Sequence, residues 1–179
     1  MSKTVRVVIA LLFAGGALAF YLGHRSKDRA GVQIGDDAPR FTLQALDGSS
    51  LSLNQFRHQV LVLNFWATWC PPCVEETPSL EKFAMETKPL GVQVVGVSVD
   101  EDPAALSKFV AAYHLSYPVA RDPQQALSAR YGTFKFPETY IIDRNGRVAE
   151  KIIGAIDWQD PRIIAFVKSL TPQNPGQGE

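Results

Sequence analysis

Two cysteines, Cys70 and Cys73, stand on either side of a pair of prolines. The preceding run, residues 60–66, is almost continuously apolar, which predicts a buried strand, and the residues after the pair have a helical pattern. The chain has no other cysteine. The first interpretation is therefore a redox dithiol at a strand-to-helix junction.

The two-residue spacing lets both sulfurs meet at the first turn of a helix. Unpaired backbone N–H groups and the positive end of the helix dipole favour a thiolate at Cys70. Pro71 and Pro72 suit a first helical turn but lack N–H groups, which leaves the amide and thiol of Cys73 nearest to the Cys70 sulfur. We therefore expect Cys70 to be the nucleophile and Cys73 to be the resolving thiol.

Two other roles for the cysteines are possible but less favoured. Half of a zinc site would need two further ligands, and the histidines His24, His58 and His114 show no ligand spacing. A purely structural disulfide that closes so short a loop would restrain little of the unfolded chain. Disulfide exchange is favoured over both, and no metal site is predicted.

The remaining pattern predicts an α/β domain. Asp47-Gly48, between alternating runs at residues 40–46 and 50–53, predicts an N-terminal hairpin. Three Asp-Pro pairs predict helix starts, because aspartate suits the N-cap and proline the first helical position. The expected helices span residues 70–85 (with Pro78 inside), 103–113, 123–131 and 161–170, and the expected later strands span residues 92–99, 117–120, 139–142 and 147–153. Helices should cover both faces of a mixed sheet.

Length and charge agree with one domain, residues 30–170, followed by a tail at residues 171–179 that is rich in Pro, Gly and Gln and predicted to be disordered. The chain carries 18 basic and 18 acidic residues. Nothing in this balance suggests nucleic acid as a partner.

Residues 1–29 contain an uncharged, largely apolar run at residues 7–22 with basic residues on both sides. As a helix the run would be about 24 Å long, short for a bilayer core of about 30 Å. Ala17-Leu18-Ala19 fits the small-residue rule for signal-peptide cleavage, whereas Phe20-Tyr21 and the following basic cluster are typical of an interfacial anchor. In either case the dithiol domain is expected to be exported.

Two sequence landmarks carry a family resemblance. Residues 65–73, Phe-Trp-Ala-Thr-Trp-Cys-Pro-Pro-Cys, resemble the active-site signature of the thioredoxin superfamily, and in particular its membrane-tethered TlpA/ResA/CcmG group of thiol-disulfide oxidoreductases. Phe136-Pro137 matches the position of that fold's cis-proline, which faces the dithiol. The resemblance covers about residues 34–170. It implies a thioredoxin-like fold, with a central mixed sheet flanked by helices and an extra N-terminal β-hairpin.

Glu76 is the candidate acid or base of the site. It lies three residues after Cys73 and shares a helix face with it, whereas Glu75 does not. If buried, Glu76 would have a raised pKa and could exchange a proton with the resolving thiol; alternatively, it only complements the helix dipole. Asn64 stands where ordinary thioredoxins have a buried aspartate, which moves proton transfer to Glu76 or Glu138, although Asn64 could simply satisfy a buried backbone group.

The resemblance also implies a substrate-binding surface around the dithiol. Trp69 and Phe136 would form an apolar landing surface beside Pro72, and backbone groups next to Pro137 would bind the incoming cysteine peptide as an added strand. The cytochrome-maturation branch of the family also has a glutamate at the position of Glu138. Close to the dithiol its carboxylate would raise the cysteine pKa values; the alternative is a surface charge at a strand end.

The function implied is that of an extracytoplasmic protein disulfide reductase with no cofactor beyond its own Cys70–Cys73 disulfide. The resemblance favours an uncleaved single-pass anchor in the cytoplasmic membrane, with the catalytic domain in the periplasm. A membrane thiol transporter would donate electrons to a monomeric protein. The substrate would be the haem-binding Cys-x-x-Cys-His motif of apocytochrome c or a copper-site assembly protein.

Two alternative functions are less favoured. A copper chaperone would bind Cu(I) through the two cysteines and a histidine, but the three-residue cysteine spacer and the distal histidine of related copper-delivery proteins are not found, and His114 suits a helix end. A thiol peroxidase would need a threonine or serine three residues before its reactive cysteine and a proline four residues earlier. Those positions hold Ala67 and Leu63.

Overall fold

The computed structural model describes residues 12–13, 15–17 and 31–172. Contacts divide the chain into two compact units, Met1–Gly31 and Val32–Glu179. The described residues of the first unit before Gly31 are helical. Among the described residues, no helix has both the length and the apolar composition needed to cross a membrane. Most of the predicted anchor and most of the predicted disordered tail lie outside the described residues.

The strands of residues 31–172 form a mixed five-stranded sheet and a separate two-stranded hairpin. The hairpin pairs β1 (Thr42–Gln44) with β2 (Ser50–Ser52) in antiparallel register, as the Asp47-Gly48 pattern predicts. In the sheet, the order is β5-β4-β3-β6-β7; β3, β4 and β5 are parallel, and β6 is antiparallel to both of its neighbours. These strands are β3 (Val60–Trp66), β4 (Val92–Ser98), β5 (Val119–Arg121), β6 (Glu138–Ile142) and β7 (Val148–Ile153).

This region also contains four α-helices, the last of which follows the final strand, and two short 3₁₀ turns, Leu53–Phe56 and Lys88–Leu90. Asp102 and Asp160 cap their helices as predicted, since each carboxylate accepts a hydrogen bond from the backbone N–H two residues later. The helices are α1 (Pro71–Thr87), α2 (Pro103–Ala112), α3 (Ala126–Tyr131) and α4 (Pro161–Ser169).

The start predicted for the helix at residue 123 is wrong, because α3 begins at Ala126. Asp122 does not act as the N-cap. Its buried carboxylate instead reaches forward to accept hydrogen bonds from the backbone N–H groups of Leu127 and Ser128, at 3.1 and 2.8 Å. Residues 123–125 form a turn, and Gln125 at the N-cap adopts a left-handed conformation.

The central strand β3 is buried along its whole length, and its side chains alternate between two cores. Val60, Val62 and Trp66 face a core that contains both cysteines and residues of α1, α2 and α4. Leu61, Leu63 and Phe65 face the other core, which is covered by α3 and the N-terminal hairpin. This arrangement confirms the predicted thioredoxin-like α/β fold, with a mixed sheet, helices on both faces and an added hairpin.

The segment before β3 pairs with both outer strands of the sheet. Near β7, Asp37 forms an antiparallel bridge with Arg147, and the backbones of Gly35 and Asp36 bond to Val148. Near β5, Ala45 forms an antiparallel bridge with Ala120. The N-terminal hairpin is therefore integrated into the domain.

Candidate active site

The two cysteines form a disulfide at the N-terminus of α1, with their Cα atoms 5.3 Å apart. Cys70 is the N-cap of the helix, and its sulfur accepts a hydrogen bond from the backbone N–H of Cys73 at 3.3 Å. This confirms the predicted role of the Cys73 amide, since Pro71 and Pro72 have no N–H to offer. Cys70 is 5% exposed and Cys73 is 1% exposed. Cys70 is the more accessible of the two sulfur-bearing residues.

The turn before the dithiol is held by a buried carboxylate. Asp100 follows the end of β4 and accepts hydrogen bonds from the backbone N–H of Thr68 at 3.0 Å and from the Thr68 hydroxyl at 2.5 Å. The Ser98 hydroxyl donates to the same carboxylate. Because β3 and β4 are parallel, their carboxyl ends meet at one edge of the sheet, which brings Asp100 to the turn that leads into Cys70.

Glu76 lies on the buried face of α1, as its spacing from Cys73 predicts, whereas Glu75 is exposed. Its carboxylate accepts three hydrogen bonds, from the side-chain amide of Asn64 at 2.9 Å, the indole Nε1 of Trp158 at 3.3 Å and the backbone N–H of Ile156 at 3.4 Å. The three donors come from two separate parts of the chain, β3 and the loop between β7 and α4.

Burial raises the pKa of Glu76 from 4.5 to about 7, and the hydrogen bonds from Asn64, Trp158 and Ile156 oppose that rise. Desolvation disfavours the charged carboxylate, while each donated hydrogen bond favours it. The balance places the titration of this carboxyl near neutrality. A group with such a pKa can both give and accept a proton at neutral pH.

Within the described residues, no hydrogen bond joins the Asn64 side chain to a backbone group, which is the alternative role for this residue. Its amide donates hydrogen bonds to two side chains, those of Glu76 and Thr139, each at 2.9 Å. Asn64 is buried in the centre of β3.

An apolar surface lies beside the dithiol. The indole of Trp69 is 63% exposed, and its ring meets that of Phe136 edge to face, with centroids 6.2 Å apart. Phe134 is also exposed, and Pro72 lies on the surface at the start of α1. The Phe136-Pro137 peptide bond is cis, as the resemblance implies.

Among the described residues, one backbone group at the cis-proline has a hydrogen-bond partner, and two neighbouring backbone groups have none. The carbonyl oxygen of Pro137 accepts a hydrogen bond from the N–H of Gly154 at 2.9 Å. Among the described residues, no partner is found for the backbone N–H and C=O of Phe136. These two groups are the ones on this segment that a peptide could bind.

Glu138 is not a surface charge at a strand end, since only 2% of it is exposed. Its carboxylate accepts a hydrogen bond from the Tyr140 hydroxyl and lies 2.9 Å from the ammonium group of Lys151. Along β6, Glu138 alternates with Thr139, whose hydroxyl bonds to Asn64 in the cysteine-containing core. The Glu138 side chain therefore projects from the other face of the sheet.

Several residues of the site were not predicted from the sequence. Trp158 and Ile156 come from the loop between β7 and α4, about 80 residues after Glu76. The position of Asp100 could have been predicted from the sequence. The carboxyl ends of the parallel strands β3 and β4 meet at one edge of the sheet, so a polar residue that follows β4 lies near the residues that follow β3. Within the described residues, no three His, Cys, Asp or Glu side chains cluster to hold a metal ion.

A disulfide at the N-terminus of a helix, a buried glutamate three residues further along that helix and a cis-proline before β6, on a thioredoxin-like fold, define a thiol-disulfide oxidoreductase. Residues 33–165 match the family model described as Redoxin. The chain belongs to this family.

Similar proteins include the thiol-disulfide oxidoreductase ResA of Bacillus thuringiensis (strain Al Hakam), 35% identical over 167 residues that cover 92% of this chain and 95% of ResA. ResA of Geobacillus thermodenitrificans is 32% identical, with 93% and 94% of the two chains covered. A crystal structure from Chlorobium tepidum, described as a thiol:disulfide interchange protein DsbE, is 30% identical with a TM-score of 0.72 and covers 78% of this chain and 98% of that one.

Proposed function

We propose that this protein reduces disulfides in target proteins outside the cytoplasm, with the haem-binding Cys-x-x-Cys-His motif of apocytochrome c as its substrate class. A copper-site assembly protein is the other substrate to test. The observation that carries the proposal is the position of Glu76, a buried carboxyl with a near-neutral pKa, three residues after Cys73 on the dithiol helix.

The reaction begins with the reduced protein. The Cys70 thiolate attacks one sulfur of the substrate disulfide, so that a mixed disulfide forms and the other substrate sulfur leaves as a thiolate. Cys73 then gives its proton to Glu76 and attacks the Cys70 sulfur, which releases the second substrate thiol. The products are a reduced substrate and the Cys70–Cys73 disulfide, and two electrons from a membrane thiol transporter return the protein to its dithiol form.

Substrate binding is assigned to the surface around the dithiol. Trp69 offers an exposed aromatic ring and Phe136 a half-buried one, and Pro72 borders the dithiol on the helix side. The open backbone groups of Phe136, next to Pro137, would bind the substrate peptide as an added strand. Glu138 is the buried first residue of β6, directly after Pro137. It would act on the site through its charge and through its effect on the position of β6.

The location belongs to the same proposal. Residues 7–22 would anchor a monomeric protein in the cytoplasmic membrane, with residues 30–170 in the periplasm. The flanking basic residues and the oxidising compartment in which such a reductase would meet oxidised targets support this arrangement. The redox chemistry would need no cofactor or metal beyond the two cysteines.

The test is a trapping experiment with the full-length protein and an oxidised peptide that contains Cys-x-x-Cys-His. Reduced Cys73→Ser protein should accumulate a mixed disulfide through Cys70, whereas Cys70→Ser protein should not. A peptide with a disulfide of the same ring size but an unrelated sequence is the control. Equal trapping of both peptides would contradict the substrate assignment.

The direction of the reaction is tested by the reduction potential. A value near or below that of thioredoxin, about −270 mV, is expected for a reductant. A value near about −120 mV, typical of a strong oxidant, would contradict it.

A further inference from the structure

The side-chain amide of Asn64 joins two parts of the site. One Nδ2 hydrogen bond runs to Oε1 of Glu76 on α1, and another runs to the hydroxyl of Thr139 on β6, both at 2.9 Å. Asn64 and Thr139 are also direct partners in the register of β3 and β6. Thr139 lies two residues after the cis-proline, so the amide connects the candidate proton carrier with the strand that continues from the segment assigned to substrate binding.

An amide is well suited to this position. Both N–H groups of Asn64 are used, which fixes the orientation of the amide, and one of them points at a carboxylate oxygen. If the amide turned over, its own oxygen would face that carboxylate and repel it. An ionised aspartate at the same position would have no proton to donate, and two carboxyl groups so close would share one proton.

We infer that Asn64 is a positioning residue that couples Glu76 to Thr139, and through Thr139 to the strand beside the cis-proline. The inference rests on the proposed proton transfer by Glu76. It goes beyond that role because it assigns control of the Glu76 titration to a hydroxyl on a different strand.

Other groups also face Glu76 and must be considered. Trp158 and the backbone of Ile156 donate hydrogen bonds from the loop after β7. Tyr117, buried in the segment before β5, interacts electrostatically with Glu76. Glu75 and Asp157 line a surface groove at Glu76. The variants below change none of these groups.

The experiment measures two quantities in each variant of the full-length protein. One is the carboxyl titration of Glu76, followed by ¹³C NMR of glutamate-labelled protein and assigned by the signal that disappears in Glu76→Gln. The other is the pH dependence of the rate at which reduced protein is oxidised by oxidised dithiothreitol. The first needs no activity, so it tests the coupling even if Glu76 transfers no proton.

Removing the donor should raise the titration midpoint of Glu76. In Asn64→Leu, we expect an upward shift of about one pH unit, because a hydrogen bond to a charged group is lost. Asn64→Asp keeps the shape of the residue and should replace the single titration with two coupled steps. An unchanged midpoint in either folded variant would overturn the inference.

The link to β6 is tested by a matched pair. Thr139→Val removes the hydroxyl and frees the amide to turn, so it should shift the midpoint in the same direction as Asn64→Leu, but by less. Thr139→Ser keeps the hydroxyl and should leave the midpoint in place. Equal midpoints in the two Thr139 variants would overturn the coupling.

The pH dependence of the oxidation rate distinguishes the proton transfer by Glu76 from the coupling of Glu76 to Asn64 and Thr139. If the NMR midpoints move as expected but the rate profile of the wild type equals that of Glu76→Gln, Asn64 positions Glu76 and the proposed proton transfer fails. If the rate depends on Glu76 but the midpoints do not respond to Asn64 or Thr139, the proton transfer stands and the coupling fails.

Discussion

The carboxylate of Glu138 and the ammonium group of Lys151 lie 2.9 Å apart, with only 2% and 16% of the two side chains exposed. The two residues come from the adjacent strands β6 and β7, and the Tyr140 hydroxyl donates to the same carboxylate. Glu138 directly follows the cis-proline, so the pair lies next to that segment, on the face of the sheet opposite to Thr139 and Asn64. Because this carboxylate is buried, its charged form depends on the neighbouring ammonium group of Lys151 for stabilisation.

Lys151→Met should lower the free energy of unfolding by about 3 kcal/mol, because it leaves the Glu138 charge buried without its partner. The measurement is equilibrium unfolding in urea at pH 7. Lys82→Met is the matched control: Lys82 pairs with Glu86 at 3.9 Å on the exposed face of α1, and its loss should cost less than about 0.5 kcal/mol. Similar losses in both variants would show that the buried pair has no special role.

The double variant Glu138→Gln/Lys151→Met should be more stable than Lys151→Met alone. Removing both charges also removes the desolvation cost that the single variant leaves uncompensated. The same urea titrations give the coupling energy of the pair. A double variant that is less stable than Lys151→Met would contradict the account.

Glu76 should make the oxidised protein less stable as the pH rises. Its pKa is 4.5 in an unfolded chain and about 7 in the fold, so the folded state binds more protons between these values. The stabilising contribution is complete below pH 4.5 and is lost as the pH rises to about 7, with a total of about 3 kcal/mol. Glu76→Gln should remove this slope. The check is the difference between the two unfolding curves from pH 4 to pH 8, and parallel curves would contradict the burial of an ionisable carboxyl.

Asp100→Ala should destabilise the protein by about 2 to 3 kcal/mol, because the hydroxyls of Ser98 and Thr68 and the Thr68 N–H all lose their acceptor. Asp102→Ala removes an exposed helix cap two residues away and should cost only about 1 kcal/mol. Thermal unfolding of both variants provides the comparison. A larger loss of stability in Asp102→Ala than in Asp100→Ala would contradict the structural role given to Asp100.

Gly96→Ala should cost about 1 to 3 kcal/mol, since a Cβ at this position in β4 would lie 2.9 Å from Nε1 of Trp66 and 3.3 Å from the ring of Tyr117. Trp66→Phe removes the indole nitrogen and should make the alanine tolerable. Urea unfolding of the two single variants and the double variant measures this. If the cost of Gly96→Ala is the same in both backgrounds, the contact with Trp66 is not its cause.

The parts of the fold that depend on neighbouring residues could be predicted from the sequence. The strand Val60–Trp66 has the predicted bounds because its apolar run is uninterrupted, and α1 begins at Pro71 because Cys70 and the prolines define its first turn. The start of α3 was missed for a local reason. Asp122-Pro123 resembles a helix start, but the Asp122 carboxylate accepts hydrogen bonds from backbone N–H groups five and six residues later.

The candidate site was only partly predictable. The burial of Glu76 follows from its helix spacing, but its pKa depends on Trp158 and Ile156, which only the tertiary fold brings near. For Glu138, the sequence offered proximity to the dithiol or exposure, while the structure pairs it with Lys151 on the next strand. Contacts between distant residues depend on strand order and register, which no local pattern specifies.

The N-terminal segment that pairs with β5 and β7 also affects how copies of this protein meet. Outer strands with free backbone groups allow another chain to add a strand, which begins aggregation. Here Ala45 occupies part of the β5 edge, and residues 35–37 occupy the start of β7, whose remainder carries the charge of Glu150. The N-terminal segment thus protects both outer strands of the sheet against edge-to-edge polymerisation, whereas the backbone N–H and C=O of Phe136, beside the cis-proline, have no partner among the described residues.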